Sequence, residues 1–256
     1  DISINISSEE QINLLRRHLS QYQGNWIKDD KNNYIQLFMK ELSSRERWIS
    51  YNKMKDLYPL NPVSALLIGS ISKRSFSQNQ RTLFSFLNSK ERHGFLEYIF
   101  KNDDKNYKTY SPNLLWDYLY NNLDNIISTS SDRHNWLIAS DCVSRSEQLD
   151  SELAVRLTKI IALLFVFGQR SILLANLETI QCSVLDSSKK EVLSSLNLLI
   201  EKKIIIFRDV QKIYQLTEAS DFELETELDK YSLSFKILDF NNEPLSLKVI
   251  TTFSRG

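Results

Sequence analysis

Ser188-Lys189-Lys190-Glu191-Val192-Leu193-Ser194-Ser195-Leu196-Asn197-Leu198-Leu199-Ile200-Glu201, with Ile204-Ile205-Ile206-Phe207 and Ile213-Tyr214-Gln215-Leu216 behind it, decides how this chain folds. Ser188 and Glu191 stand at the spacing where a hydroxyl and a carboxylate each satisfy the other's backbone amide at a helix start. Val192, Leu196, Leu199 and Ile200 follow at helical spacing. The two β-branched runs suit strands, and the short polar turn between them predicts a hairpin.

Working back toward the N-terminus, Leu153, Leu157, Ile160, Ile161, Leu164 and Phe167 form one apolar helix face. It stops at Gly168, which reads as a left-handed helix terminus. A short helix is expected through Leu173, Leu177 and Ile180. Three helices and then a hairpin predict a winged helix over 147–220.

Farther upstream the pattern is helical. Ile12, Leu14, Leu15 and Leu19 lie near helical spacing in 8–22, with Ser8 as the cap and acids at the positive end of the dipole. Tyr34, Leu37, Phe38, Leu42, Trp48 and Tyr51 support one long or two shorter helices from Asp30 to Leu57. Pro59 and Pro62 then enforce extended backbone before them and mark the entry to a new subdomain. An apolar run, Val63 to Gly69, leads through a polar stretch to Arg81–Leu87, read as a helix packing large side chains inward. Residues 101–113 read as a surface loop, and Ser111-Pro112 is a helix start for Leu114–Ile127. Ser128 to Asn135 reads as a polar linker before a helix from Trp136 to Arg145. The acidic stretch 221–229 starts a last helix, and alternation at Leu245, Leu247 and Val249 predicts a hairpin or edge strand in the tail.

The fold class is therefore mainly α, a helical bundle followed by a winged-helix module with a small β-hairpin and a short β tail. The expected divisions are 1–58, 59–146, 147–220 and 221–256.

Composition narrows the function. Lys plus Arg and Asp plus Glu balance at 32 each, so no overall field draws the protein to nucleic acid or an anionic membrane. Cys142 and Cys182 lie far apart with no CxxC or His-rich partner, so neither zinc nor a disulfide framework is expected and a reducing cytoplasmic setting fits. No metal and no membrane partner is expected: Ile160–Phe167 falls short of the about 20 apolar residues a bilayer span needs, and residues 1–20 lack a signal-peptide pattern. Beginning at Asp1, the chain is expected to be an excised piece of something longer.

No GxxxxGK[ST] stretch occurs, and the five glycines are too scattered for a dinucleotide fingerprint. His18, His93 and His134 stand without a catalytic partner in sequence, so the fragment is expected to be catalytically silent and to hold no cofactor. Lys189, Lys190, Ser194, Asn197 and Lys203 lie on or beside a recognition-type helix, with Arg208 and Lys212 in the wing, where cations and amides reach base edges and phosphates. Glu191, Glu201 and Asp209 dilute that patch, which places protein contact ahead of DNA and makes any DNA contact weak. Lys73, Arg74 and Arg81 are the other basic residues of interest. A fixed arginine can stabilise charge on a neighbour's terminal phosphate; the alternative is a solvated helix end, or a salt bridge to Glu91 or Asp56.

Tyr58-Pro59-Leu60-Asn61-Pro62 and Gln78-Asn79-Gln80-Arg81-Thr82-Leu83-Phe84-Ser85-Phe86-Leu87 resemble a signature of large bacterial P-loop ATPases of the AAA+/STAND type, C-terminal to the nucleotide-binding core. Phe167-Gly168-Gln169-Arg170-Ser171, Phe207-Arg208 through Tyr214-Gln215-Leu216, and Ser220-Asp221-Phe222-Glu223 resemble the winged helix that follows. The likeness covers roughly 55–230 in one order. Asn61 departs from an expected His, and Ala219 from an expected Gly. The resemblance implies a helical lid (59–146) and winged helix of such an ATPase without its Walker motifs. It implies that ATP and Mg belong to the parent, that the ATPase core is the partner together with a homo-oligomer or a defence-system protein, and that the setting is antiphage defence. Arg81, then Arg74, becomes the candidate for nucleotide sensing. The competing class is a winged-helix transcription regulator that reads DNA.

Overall fold

The computed structural model of the chain describes residues 7–20, 32–45, 54, 56–72, 86–101, 109–168 and 172–218. Asp1–Thr217 forms one compact unit and Glu218–Gly256 a second. The final helix expected from 221–229, the β tail, Trp48, Tyr51 and most of the Arg81–Leu87 segment lie outside the described residues.

Among the described residues the chain is mainly helical. Its elements are α1 (Ser8–Leu19), α2 (Asn32–Arg45), α3 (Pro62–Ile71), α4 (Phe95–Lys101), α5 (Pro112–Ile127), α6 (Arg133–Glu147), α7 (Glu152–Phe167), α8 (Leu177–Ser183) and α9 (Lys189–Glu201). A two-stranded antiparallel sheet follows, β1 (Ile205–Arg208) with β2 (Ile213–Leu216), Ile205 facing Leu216 and Phe207 facing Tyr214.

Local chemistry explains most helix starts. Helix α1 is capped by Ser7, one residue before the expected Ser8, because Ser7 is the residue whose third successor is an acid. Glu10 N donates to Ser7 Oγ (3.2 Å), while Ser7 N donates to Glu10 Oε2 (2.9 Å). The residue that would have completed the box from Ser8 is Gln11, which is buried and donates instead to Ser72 Oγ (2.9 Å). In α2 the core residues are Ile35, Phe38, Met39 and Leu42, whereas Leu37 of the expected set is 47% exposed. Those four positions span one face at i, i+3, i+4 and i+7.

Pro59 and Pro62 behave differently from each other. Tyr58-Pro59 is a cis peptide, and Leu60 bridges Tyr110, with Tyr110 N donating to Pro59 O (2.8 Å) and Asn61 N to Tyr110 O (3.1 Å). Pro62 instead occupies the first turn of α3, where its missing N–H costs nothing, and Asn61 caps that helix by accepting from Val63 N (2.9 Å). Ser111-Pro112 opens α5 as expected. The polar linker after α5 is shorter than the sequence suggested. Ser130 Oγ accepts from Asp132 N (3.1 Å) and Trp136 N donates to Asp132 O (2.9 Å), so the helical turn of α6 is already closed at Arg133.

Helix α7 is the centre of the first unit. It packs against α3, α5, α6, α8, α9 and β2, and from Ile160 to Phe167 every residue but Phe165 is buried. Each large apolar side chain so buried contributes about 1.5–3 kcal/mol. Gly168 does not adopt the expected left-handed conformation: its φ of −70° and ψ of −30° carry the chain on in the right-handed sense, and its N–H donates to Leu164 O. Leu173 lies before α8, which starts only at Leu177 because Asn176 caps it by accepting from Thr179 N (3.0 Å).

The helices before α7 are knitted by aromatic rings. Trp116 of α5 and Trp136 of α6 stack at 4.6 Å, and Trp136 Nε1 donates to Asp124 Oδ1 (2.7 Å). Phe86, Phe95, Tyr98 and Tyr118 surround Tyr110 or one another at centroid distances of 5.1–6.1 Å. Gly94 permits the tight turn before α4, since a Cβ there would lie 2.6 Å from Ser89 O.

Candidate functional site

The residues singled out for nucleic-acid contact lie on the outer side of α9 and the hairpin. Lys189, Lys190, Asn197, Lys203 and Arg208 are all exposed, as are Ser194 and Lys212. The exposed cations from 189 to 212 are Lys189, Lys190, Lys202, Lys203, Arg208 and Lys212, against Glu191, Glu201 and Asp209. The six are spread over a helix roughly 20 Å long and the hairpin beyond it. Several have local work. Arg208 Nε donates to Gln215 Oε1 (3.2 Å) across the hairpin. Lys212 Nζ reaches Asp209 Oδ1 (3.4 Å) and lies 5.7 Å over the Phe207 ring. Glu191 completes the capping box, its carboxylate accepting from Ser188 N (2.7 Å), and the hydrogen bonds with Ser188 hold its pKa below the ordinary value of 4.5.

Lys203 is as much a backbone device as a charge. Its φ of 55° puts it in the left-handed region, and its N–H donates to Ile200 O (2.9 Å), which closes α9. Its carbonyl accepts from Arg145 Nη1 (3.4 Å), whose Nη2 donates to Thr217 O (3.0 Å). Arg145, on α6, thereby ties the end of α9 and the base of the hairpin to a helix upstream. Arg74 and Arg81, the nucleotide-sensing candidates, lie outside the described residues, as does Lys73. Of the two acids weighed as their partners, Asp56 pairs with Arg16 of α1, and Glu91 takes a hydrogen bond from Ser89 Oγ (3.3 Å).

A concave feature that was not expected from the sequence is lined by none of these residues. A cleft of about 570 Å³ opens between Tyr98, the start of α5, the first half of α7 and the turn after α8. Four of its five charged residues are paired, and the fifth, Glu152, is exposed. Arg156 forms a two-pronged bond to Asp186 (2.8 and 2.9 Å), and Lys159 Nζ lies 2.8 Å from Asp117 Oδ1 and 3.6 Å from Glu147 Oε1. The legible signal was that Arg156 and Lys159 stand three apart in a helical run whose other residues, Glu152 and Thr158 aside, are apolar, a spacing that puts two cations on one face.

Neither cysteine is poised as a nucleophile. Burial pushes both thiols up, at Cys142 against the lowering effect of the nearby Arg145 guanidinium, so both are protonated at neutral pH. His93 contributes its backbone: its N–H donates to Glu97 Oε2 (2.9 Å) and its carbonyl accepts from Tyr110 Oη (2.6 Å). Among the described residues no group of three His, Cys, Asp or Glu is placed to hold a metal ion, and no helix is long and apolar enough to cross a membrane. No family model, curated protein or solved structure matches the chain.

Proposed function

We propose that the chain is a non-catalytic regulatory and oligomerisation segment of a bacterial P-loop ATPase, with α7, α8, α9 and the β1–β2 hairpin forming a winged helix used for packing. The winged-helix reading is supported by element order and by one bond outside the hairpin: Tyr214 N donates to Ala175 O (2.8 Å), so β2 is hydrogen-bonded on its far side by the segment between α7 and α8. That is where a winged helix places a third, short strand.

The observation that carries the packing role is the double duty of α7. As first helix of the winged helix, it also packs on α3, α5 and α6. A module that shares its main helix with the preceding bundle cannot swing onto a duplex by itself. It is suited to hold a bundle and a neighbouring core in fixed register. The partner in this reading is the ATPase core of the parent chain, with further copies in a homo-oligomer. ATP and Mg are held by that core. The antiphage setting rests on the resemblance in the sequence.

The DNA-regulator reading is favoured by the excess of cations over acids on the exposed α9 and hairpin surface. Parallel titration of the chain with a labelled ATP analogue and with random-sequence duplex DNA, at low and physiological salt, separates the two. The packing role expects neither to bind. DNA binding that falls steeply with salt would replace it with the regulator reading, and tight ATP binding would overturn the claim that the nucleotide site lies elsewhere.

A further inference from the structure

We propose that the cleft between Tyr98, α5, α7 and the turn after α8 is a binding site for a small neutral polyhydroxylated ligand, either a free sugar or the ribose of a nucleoside. Three polar groups on its wall keep a donor or an acceptor unused among the described residues. Asn113 is only 9% exposed, and its Oδ1 accepts from Ser111 Oγ (2.6 Å), but its Nδ2 donates to nothing. Asp117 gives one carboxylate oxygen to Lys159 and keeps the other free. The Thr109 hydroxyl has no bond. An amide on the cleft wall that lacks a protein acceptor donates to water, and a ligand oxygen can take that water's place.

The placement of these groups sets the ligand chemistry. Asn113 and Asp117 are four residues apart on α5, so they lie about 5–6 Å apart on one helix face, a donor beside an acceptor. Adjacent hydroxyls answer both, since each donates and accepts. Charged ligands fit less well. Arg156 and Lys159 are only 21% and 16% exposed and already face Asp186 and Asp117. The cleft therefore offers a phosphate no unneutralised cation, and a polyamine only the single exposed carboxylate of Glu152. Leu114, Val155, Leu185 and the Tyr98 ring supply an apolar wall for the C–H face of a sugar. A volume of about 570 Å³ lies within the ~300–1,000 Å³ range of small-molecule sites.

Titration calorimetry and thermal-shift measurements on the whole chain, with maltose and adenosine as neutral probes and inorganic phosphate and spermidine as charged ones, test the assignment. Saturable millimolar binding of a neutral probe is expected; maltose alone would indicate a free sugar and adenosine alone a nucleoside. Asn113→Asp exchanges the donor for an acceptor at constant volume and should weaken that binding roughly fivefold, the worth of one neutral hydrogen bond. Thr109→Val, outside α5, should weaken it to a similar degree and serves where Asn113→Asp fails to fold. The proposal is overturned by binding of phosphate or spermidine in preference to both neutral probes, by no binding of either neutral probe, or by binding that the folded variants leave unchanged.

Discussion

Asn61 Nδ2 donates to the Cys182 carbonyl at 2.8 Å, joining residues 121 positions apart, while the same side chain caps α3 through Oδ1. One fully buried amide thus holds the start of α3 against the end of α8. At the other end of α8, Asn176 Nδ2 donates to Glu41 Oε1 (2.6 Å) on α2. Both ends of this short helix are fastened to the N-terminal half of the chain. Within the first unit, the hairpin-bearing end of the chain is therefore joined to the bundle by hydrogen bonds as well as through the core.

Asn61→Ala should destabilise the protein by about 2–4 kcal/mol, the sum of a lost cap and a buried carbonyl left without its donor. Denaturant unfolding measures it. Asn61→Ser retains a capping oxygen that cannot reach Cys182 and should recover about 1 kcal/mol of that loss. Equal stability of Asn61→Ala and the parent would mean that the Asn61–Cys182 bond does not hold α8.

Glu191 gives a pH dependence of definite sign. Its pKa in the folded chain is lowered from 4.5, first by the Ser188 side-chain hydrogen bond and then by the Ser188 amide. A carboxylate with a depressed folded pKa contributes stability that is present above its unfolded pKa and is lost as pH falls through the folded one. Glu191→Gln should therefore be less stable than the parent at neutral pH, and the two should converge below pH 4.5. A gap that stays constant across that range would show that the carboxylate charge contributes nothing at the α9 start.

How much was legible follows from where the information sits. The Ser188–Glu191 capping box, the α7 apolar face and the hairpin runs are local patterns, and each appears in the structure. Errors arose where a tertiary partner decided. Gln11 was taken into the core by Ser72, which moved the α1 cap to Ser7. Leu37 was displaced from the core by Ile35 and Met39, whose places depend on what packs against α2. The cleft was missed because its pairs, Lys159 with Asp117 and Arg156 with Asp186, bring together residues 42 and 30 positions apart. No window along the chain contains them. The exposed cations of α9 were legible individually. That Lys203 also serves through its backbone was not, because nothing in a lysine announces a positive φ.

Arg81 is the nucleotide-sensing candidate. In the longer ATPase of which this chain is proposed to be a part, Arg81→Ala should lower ATP turnover by roughly 10³-fold if its guanidinium meets the transferring phosphoryl group. Thermal stability should change little. Arg74→Ala is the comparison, with a smaller expected effect. Unchanged turnover in Arg81→Ala would remove the sensing role, and a loss of stability matching the loss of turnover would reassign Arg81 to structure.

Lys203→Gly separates the two roles of its position. A non-glycine residue in the left-handed region costs roughly 1–2 kcal/mol, and glycine bears no such cost because it lacks the Cβ that crowds the following carbonyl. The backbone bonds to Ile200 and from Arg145 involve no side-chain atom of Lys203 and should survive the exchange. Glycine also adds freedom to the unfolded chain, which offsets part of the gain. The net expectation is a stability increase of up to about 1 kcal/mol, read by denaturant unfolding. Any DNA affinity of the α9 surface should fall in the same variant by the loss of a single cation, with a shallower salt dependence. If Lys203→Gly instead destabilises the fold, the lysine side chain is holding the end of α9 through its own contacts, and the positive φ is a consequence of those contacts and not the feature that closes the helix.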